Sequence, residues 1–486
     1  MKRLSALGAL ALSGCMVGPD YHKPVLPVPA AYKTAPGWVA AKPADDAPKG
    51  AWWSVFNDPV LNQLEPQVAV NNATLKADYY AYQQAVEIVQ EERGSLFPSF
   101  GLTSTATRSG EGGGGASATA ASGFARSSGP TTSGTFEGNA SWSVDIWGKI
   151  RRQVQGDVAA AQVSAADLAN ATLSAQAELA SDYVNLRASD AAIALYQQTV
   201  ADYQRSLQIT ENQAAAGTAA PSDVITARTE LEGAQSQLIN AGAARAQYEH
   251  AIAVLTGHAP EELSIPAGAQ MANVPVTPPG VPSTLLERRP DIAAAERAMA
   301  EQNALIGVAV GAYYPSLSLS AMGGYAANPI SGLFDVSNSL WSLGSNVSET
   351  LFEGGTRSAA VAAAGDAYQE SAQNYRQTVL NAFQNVENDL SNLTIYEQQA
   401  AVQAQAVADA SRGVQITLNE YQAGTAAYTA VVQAQVTLLA DQQTQLSIQQ
   451  QRLLASVALF QDLGGGFSAS DLPSAATLQA GLPFAP

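Results

Sequence analysis

The sequence predicts an α+β membrane protein in which four short amphipathic strands join very long coiled-coil helices, built as two tandem repeats. Three observations predict it. Leu179, Leu186, Ile193, Val200 and Leu207 recur at seven-residue spacing, and Val386, Leu393, Ala400, Val407 and Val414 repeat the series 207 residues later. Gly217-Thr218-Ala219 falls on Gly424-Thr425-Ala426 with the same displacement of 207, which marks a duplicated unit. Stretches of about 10 residues that alternate apolar and polar side chains suit strands long enough to cross a bilayer.

Composition narrows the function classes. The 486 residues carry 24 Lys+Arg against 42 Asp+Glu, a formal charge of −18. That balance argues against a nucleic-acid partner, which would need clustered cations to displace counterions from phosphates. The one cysteine, Cys15, excludes an intrachain disulfide framework and any Cys-rich zinc site. His22, His250 and His258 leave little for metal or acid-base chemistry, and His250 sits in a helical stretch without a nucleophile beside it. No catalytic constellation, metal site or cofactor is expected.

Lys2 and Arg3 precede an apolar run over 4–12, which fits an export signal at 1–14 and is too short to span a bilayer. Leu12-Ser13-Gly14-Cys15 resembles a bacterial lipoprotein cleavage box, so a covalent lipid is expected on Cys15. Each buried CH₂ of its acyl chains would add about 0.8 kcal/mol of membrane affinity. Residues 15–57 read as a lipidated extended arm rich in Pro, Ala and Lys. No further stretch of about 20 apolar residues follows, so a mature chain that crosses a membrane does so as strands.

The first repeat covers 58–257. Asp58-Pro59 places a good N-cap before proline and starts a helix that ends near Phe97-Pro98. A β-hairpin follows at about 98–147. Over residues 135–146, Phe136, Gly138, Ala140, Trp142, Val144 and Ile146 share one face and Glu137, Asn139, Ser141, Ser143 and Asp145 the other. A half-buried soluble sheet would show the same alternation. The hairpin connection, 109–134, is rich in Gly, Ser, Ala and Thr and lacks the Lys-Ser or Lys-Thr of a phosphate loop. Gly148 permits the swivel from strand into a long helical hairpin, about 150–257, whose tip glycine is Gly217. Residues 157–216 contain neither Gly nor Pro, enough for a helix about 90 Å long.

A Pro-rich linker spans 258–286, and the second repeat covers 287–464. Arg289-Pro290-Asp291 starts its first helix, with proline at the first turn and an acid that suits the helix dipole. A hairpin at about 315–352 holds strands at 316–325 and 340–352. Gly354 and Gly355 mark its swivel, a helical hairpin at about 356–463 follows, and Gly424 marks the tip. The tail, 465–486, reads as another linker. Four strands cannot close a barrel, and an open edge in lipid strands backbone groups at several kcal/mol each. If the strands enter the membrane the chain must therefore oligomerise, and its thin helical seams point the same way.

The chain resembles the TolC-like outer membrane factors, within them the OprM/NodT-type lipoprotein branch of RND efflux systems. The carrying motifs are Cys15-Met16-Val17-Gly18-Pro19-Asp20-Tyr21, Trp52-Trp53 with Phe56 and Asp58-Pro59, and Val144-Asp145-Ile146-Trp147-Gly148-Lys149 with Arg151-Arg152. Glu287-Arg288-Arg289-Pro290-Asp291-Ile292 and Leu351-Phe352 with Gly354-Gly355 and Arg357 complete them. The resemblance implies a homotrimer with a twelve-stranded barrel in the cell outer membrane, four strands from each chain, continued by a periplasmic α-helical barrel with a mixed equatorial collar. It implies an exit duct for small molecules, docked to a periplasmic adaptor protein and an inner-membrane RND-type transporter. A type I protein-secretion channel and a lipid-anchored periplasmic coiled-coil lipoprotein are the alternatives; the lipidation box favours drug or metal efflux.

The resemblance also locates a gate. In this branch a leucine and an aspartate after the second tip glycine constrict the pore; the matching residues here are Thr429 and Gln433, with Val436 where an arginine is usual. The acidic ring is thus missing at its usual place. Asp223, in Pro221-Ser222-Asp223 near Arg228 and Glu230, is the second candidate, against a simpler role of Ser222 and Asp223 in helix capping. Arg288 and Arg289 are expected to fix a helix start and an interprotomer contact, and Trp52-Trp53 to anchor the collar.

Overall fold

The computed structural model describes residues 16–24, 51–110, 130–275 and 288–480. Cys15, most of the arm, the bulk of the 109–134 connection and the middle of the linker lie outside the described residues. A 3-10 turn at Trp52–Phe56 leads into α1 (Pro59–Asn71), α2 (Ala73–Gly94), β1 (Ser99–Ser109), β2 (Thr131–Val144), α3 (Lys149–Ala215) and α4 (Pro221–Leu255). The second half contains α5 (Pro290–Gly311), β3 (Ser316–Ala327), β4 (Ser339–Ser348), α6 (Thr356–Gln422), α7 (Tyr428–Asp462) and the short α8 (Ala475–Leu478). Helices α3 and α6 each have 67 residues, and α4 and α7 each have 35. At about 1.5 Å per residue, the longer pair reach about 100 Å. Among the described residues no helix is long and apolar enough to cross a membrane.

The four strands form one antiparallel sheet in the order β1-β2-β3-β4. Its register sorts the side chains into two faces. Phe100, Ala140, Ala321 and Leu343 form one row, Leu102, Gly138, Gly323 and Trp341 the next, and Val144, Leu317 and Val347 another on the same face. The other face carries Ser99, Ser141 and Ser320, then Gly101, Asn139, Met322 and Ser342. Over these rows the apolar face is uncovered within the chain, with Phe100 81% and Leu343 76% exposed. Val144 is the last residue of β2, at the helix end of the sheet, and the Ala140 row lies in the middle of the apolar face. Strand β4 ends at Ser348 and not at Phe352, because its last pair is with Ser316 and the preceding Pro315 has no N–H to continue the ladder.

Two other expectations change. The single helix expected between Asp58 and Phe97 is broken at Asn72, whose side chain caps α2 by accepting from the N–H groups of Thr74 and Leu75 at 2.9 and 3.2 Å. Its amide also donates to the Leu255 carbonyl at 3.1 Å, tying the break to the end of α4. The tail, expected to be linker-like, instead packs: Gly464, Gly465 and Gly466 have φ of 93°, 56° and 96° and turn the chain. It then runs to Leu478, buried with Val89 of α2 and with Val154 and Val158 of α3.

The largest core lies where the short helices meet the long ones. Trp52, Trp53 and Phe56 are buried against Leu179, Tyr183 and Leu186 of α3 and Leu453 and Val457 of α7, and Trp52 stacks on Phe460 at 5.9 Å. Asp58 caps α1 through Val60 and Leu61 and accepts from the Tyr183 hydroxyl at 2.8 Å. The start of the linker is docked by cations: Arg187 donates to the Pro266 carbonyl and Arg245 to the Ile265 carbonyl, while Asp190 receives both guanidinium groups.

Glu65 is a buried acid beside this core. It is fully buried on α1, and neither carboxylate oxygen has a partner. Burial pushes its pKa up from 4.5 to about 9. A carboxyl raised on folding costs stability above its unfolded pKa, so the chain should lose stability as pH rises from about 4.5 toward 9. Glu65→Leu should flatten that slope and stabilise the protein at pH 9 by about 1–4 kcal/mol, with little effect at pH 4. Thermal unfolding across pH checks it; an unchanged slope would assign the pH dependence to other groups.

Candidate gate and strand-to-helix junctions

The two helical hairpins end in closely similar turns. At the first tip Gly217 has φ 73°, and the Gln213 carbonyl accepts from Thr218 N–H at 2.9 Å, Ala219 N–H at 3.3 Å and the Thr218 hydroxyl at 3.0 Å. At the second Gly424 has φ 74°, and the Glu420 carbonyl accepts from Thr425 N–H, Ala426 N–H and the Thr425 hydroxyl at 2.9, 3.3 and 3.0 Å. The αL conformation requires glycine at both turns, and the threonine hydroxyl helps satisfy the helix end.

An apolar knot holds the tips side by side. Tyr421 and Tyr428 lie 5.2 Å apart and are buried with Ala227 of α4 and Val431 of α7. Burial first, and then nearby groups that include Asp223, raise both phenols, Tyr428 to about 12. Tyr421 and Tyr428 were not singled out from the sequence, although their seven-residue spacing around Gly424 is a visible signal.

The candidate gate residues fall on faces that this knot defines. Thr429, Gln433 and Val436 are all exposed on α7, and their spacing puts them on one stripe. The opposite side of the same turns is anchored, since Gln435 is buried and donates to the Ser206 hydroxyl at 2.7 Å. Asp223 is half-buried in the first turn of α4. The tip thus brings both candidates onto one packed unit. The capping role considered for Ser222 and Asp223 is corrected: the N-cap is Ala220, without a side-chain bond, and Pro221 at the first position already lacks the N–H a cap would satisfy. Arg228 pairs with Glu211 at 3.5 Å.

At the other end of the long helices Gly148 and Gly355 are the N-cap residues of α3 and α6, with φ 78° and 91°, and Gly354 has φ 66°. Glycine supplies the backbone angle but no capping oxygen, so carboxylates upstream do the capping. Asp145 accepts from the N–H groups of Ile150 and Arg151 and from the Arg151 guanidinium, at 3.2, 3.0 and 3.2 Å. Glu353 accepts from Arg357 N–H at 2.9 Å and pairs with its guanidinium, which also holds Glu349. Trp147 stacks on Tyr314 at 4.8 Å and donates to the Pro315 carbonyl, joining the two junctions.

The segment after Cys15 is seated at this level. Val17 N–H donates to the Trp147 carbonyl at 3.1 Å, and Arg152 donates to the carbonyls of Val17 and Gly18 and to Asp20. A Cβ on Gly148 would come within 2.4 Å of Met16, and one on Gly18 within 2.4 Å of the Gly307 Cα on α5. Arg289, at the N-cap of α5, forks onto Asp291 at 3.0 and 2.8 Å and reaches Asp462 at 2.7 Å. These bonds fix the start of α5 within the protomer.

Known proteins resemble this chain in sequence and in fold. The chain is 28% identical over 469 residues to the toluene efflux pump outer membrane protein TtgC of Pseudomonas putida, covering 95% of each. It is 28% identical to the cation efflux system protein CusC of Escherichia coli K12, covering 94% of this chain and 98% of that one. Among solved structures the outer-membrane channel OprN superposes with a TM-score of 0.82 at 27% identity, covering 93% of this chain and 99% of the other. The Campylobacter jejuni CmeC outer membrane channel, at 23% identity, shares the fold with a TM-score of 0.84 over 94% and 96% of the two chains. The sequence profile of the outer membrane efflux protein family spans residues 64–258 and 281–465, which takes in all four strands, both tips and both junctions, and the chain belongs to that family.

Proposed function

We propose that the chain is the outer-membrane exit duct of a tripartite efflux pump. Three copies close a twelve-stranded barrel in the outer membrane, continue it as an α-helical barrel in the periplasm, and receive small molecules from an adaptor protein and an inner-membrane RND-type transporter. The observation that carries this reading is the sheet: four strands with two open edges, β1 and β4, and one bare apolar face. Lipid can cover the face, and only another copy can pair the edges. The helical seams support the same assembly, because Leu179, Leu186 and Val386 are buried while Ile193, Val200, Leu393 and Val407 stay half-exposed in one chain. A soluble coiled-coil spacer would leave that sheet face in water. The relatives' names, which speak of toluene and cation efflux, favour small molecules over secreted proteins.

The duct opens and closes at the helix tips. Thr429 and Gln433 line the constriction, and a ring of Gln433 amides closes by hydrogen bonding across the axis. Gly217 and Gly424 act as tip hinges, and Gly148, Gly354 and Gly355 as the swivels between barrel and helices. Conductance in planar bilayers tests the assignment. Gln433→Ala should raise the open fraction on the order of tenfold, the result of about 1.4 kcal/mol of lost closure, and Asp223→Asn should change it little. Opening by Asp223→Asn alone would move the gate to α4. Cation preference should persist in Gln433→Ala, because it follows from the overall charge of −18.

Cys15 carries the lipid anchor. The seating of Met16 and Val17 against Gly148 and Trp147 supports this, because the strand-to-helix boundary is the level at which an acyl chain can enter the inner leaflet. Cys15→Ala should abolish metabolic acyl labelling and leave the oligomer intact. Labelling that persists would place the lipid on another residue.

A further inference from the structure

The connection between β3 and β4 does not project freely from the sheet. It is built from two 3-10 turns, Ile330–Gly332 and Val336–Asn338, held by Asn338 donating to the Gly332 carbonyl at 2.7 Å and Asp335 N–H to the same carbonyl at 3.0 Å. Phe334 packs edge-on against Phe136 of β2 and Tyr325 of β3, at 5.6 and 5.8 Å. Ile330 sits over Gly134, where an added Cβ would come within 2.7 Å of it. Gly134, Phe136 and Tyr325 all belong to the apolar face of the sheet, the face that carries Ala140 and Leu343. The connection is therefore folded outward, away from the polar face with Ser141 and Asn139.

Its chemistry matches that position. Beyond the row of Phe136 and Tyr325 the strands offer only small side chains, Ala106, Gly134 and Ala327, and Arg108 and Thr132 follow. Ile330 fills the gap over Gly134 and extends the apolar surface. Phe334 and Val336 nevertheless remain 66% and 84% exposed, with Asp335 between them. An apolar band that ends in aromatic side chains beside a charge is the pattern of a membrane-water boundary.

We propose that residues 330–336 form an interfacial anchor that inserts Phe334 and Val336 into the outer leaflet at the acyl-chain and headgroup boundary, completing the upper margin of the lipid-facing band. The occupant is lipid because the patch is continuous with the sheet face that the barrel reading presents to lipid, and the proposal rests on that reading. By the same geometry this connection lies outside the duct and does not obstruct its exit.

The test uses the full chain in proteoliposomes, with Cys15→Ala as background and single cysteines labelled with an environment-sensitive nitrobenzoxadiazole dye. Val336→Cys and Phe334→Cys report on the connection, Leu343→Cys on the apolar face and Ser342→Cys on the polar face. Both connection sites should lose about half of their emission to lipids brominated near the carbonyl and resist aqueous iodide, while Leu343→Cys responds to deeper bromines. If Phe334→Cys disturbs assembly, Val336→Cys alone decides, since its side chain supports no packing. Quenching of Val336→Cys by iodide alone, with Leu343→Cys still quenched by lipid, would overturn the anchor and leave the barrel standing. Iodide quenching of both would overturn the barrel reading and the anchor with it.

Discussion

Leu343→Arg should destabilise the assembled protein by about 2–4 kcal/mol, while Ser342→Arg one residue earlier should cost much less. The two differ only in face. Leu343 lies in the middle row of the apolar side, opposite Ala321, with Ala140 and Phe100 beyond. On the barrel reading, an arginine there must carry its charge into hydrocarbon or drag water to it, whereas at Ser342 the same side chain would face the hydrated duct. Val144→Arg should fall between them, at about 0–1 kcal/mol, because Val144 ends β2 at the junction with the helices and its side chain can reach the interface. Urea unfolding of the oligomer in lipid, with resistance to dissociation in detergent as a second readout, checks the order. Equal losses at Leu343 and Ser342 would mean that the faces are not divided between lipid and water, and would remove the main support for the barrel.

That order illustrates what a sequence can carry. Period-2 alternation at Phe136, Ala140 and Trp142 and the seven-residue seam through Leu179 and Leu186 identify strands and long helices, because both are local patterns with large repeat numbers. Depth within the membrane is a register property: it depends on Ala140 facing both Phe100 and Ala321, pairings set by connections that the local pattern does not encode. The break at Asn72 was hidden for a related reason. No Gly or Pro marks it, and Asn72 ends one helix by capping the next and bonding Leu255, 183 residues away. The tail reads as a linker because of Gly464, Gly465 and Gly466, while the partners of Leu478, Val89 and Val154, are remote in sequence. At the tips the glycines were legible as turn residues. The Tyr421 and Tyr428 knot is not legible because it joins two hairpins displaced by 207 residues, and tyrosines at heptad spacing read equally well as ordinary seam.

Arg289→Ala is expected to cost about 1–3 kcal/mol, because it leaves the partly buried carboxylates of Asp291 and Asp462 without their cation. Arg289 stands at the start of α5 and forks onto Asp291 while its Nη1 reaches both the side chain and the carbonyl of Asp462, the last residue of α7, at 2.7 and 2.8 Å. A guanidinium at a helix C-terminus also offsets the exposed carbonyls there. Asp389 of α6 completes the cluster: it is buried, its Oδ2 has no partner, and burial together with the neighbouring Asp462 pushes its pKa up to about 8 against the pull of Arg289. One cation therefore joins three helices and restrains two adjacent acids. Removing it raises the folded-state pKa of Asp389 further above the unfolded value of about 3.8, and because Asp389 already stays neutral up to about 8, this part of the loss should be absent near pH 4 and appear as pH rises through about 8. Arg289→Lys should recover only part of the stability, since an ammonium cannot fork onto Asp291 while holding Asp462. Adding Asp389→Asn to Arg289→Ala should restore part of it at pH 8 and little at pH 4. Thermal unfolding of the three variants across that range measures all of this. A small loss independent of pH would mean that the carboxylates find another cation, and that Arg289 chiefly serves a contact between protomers.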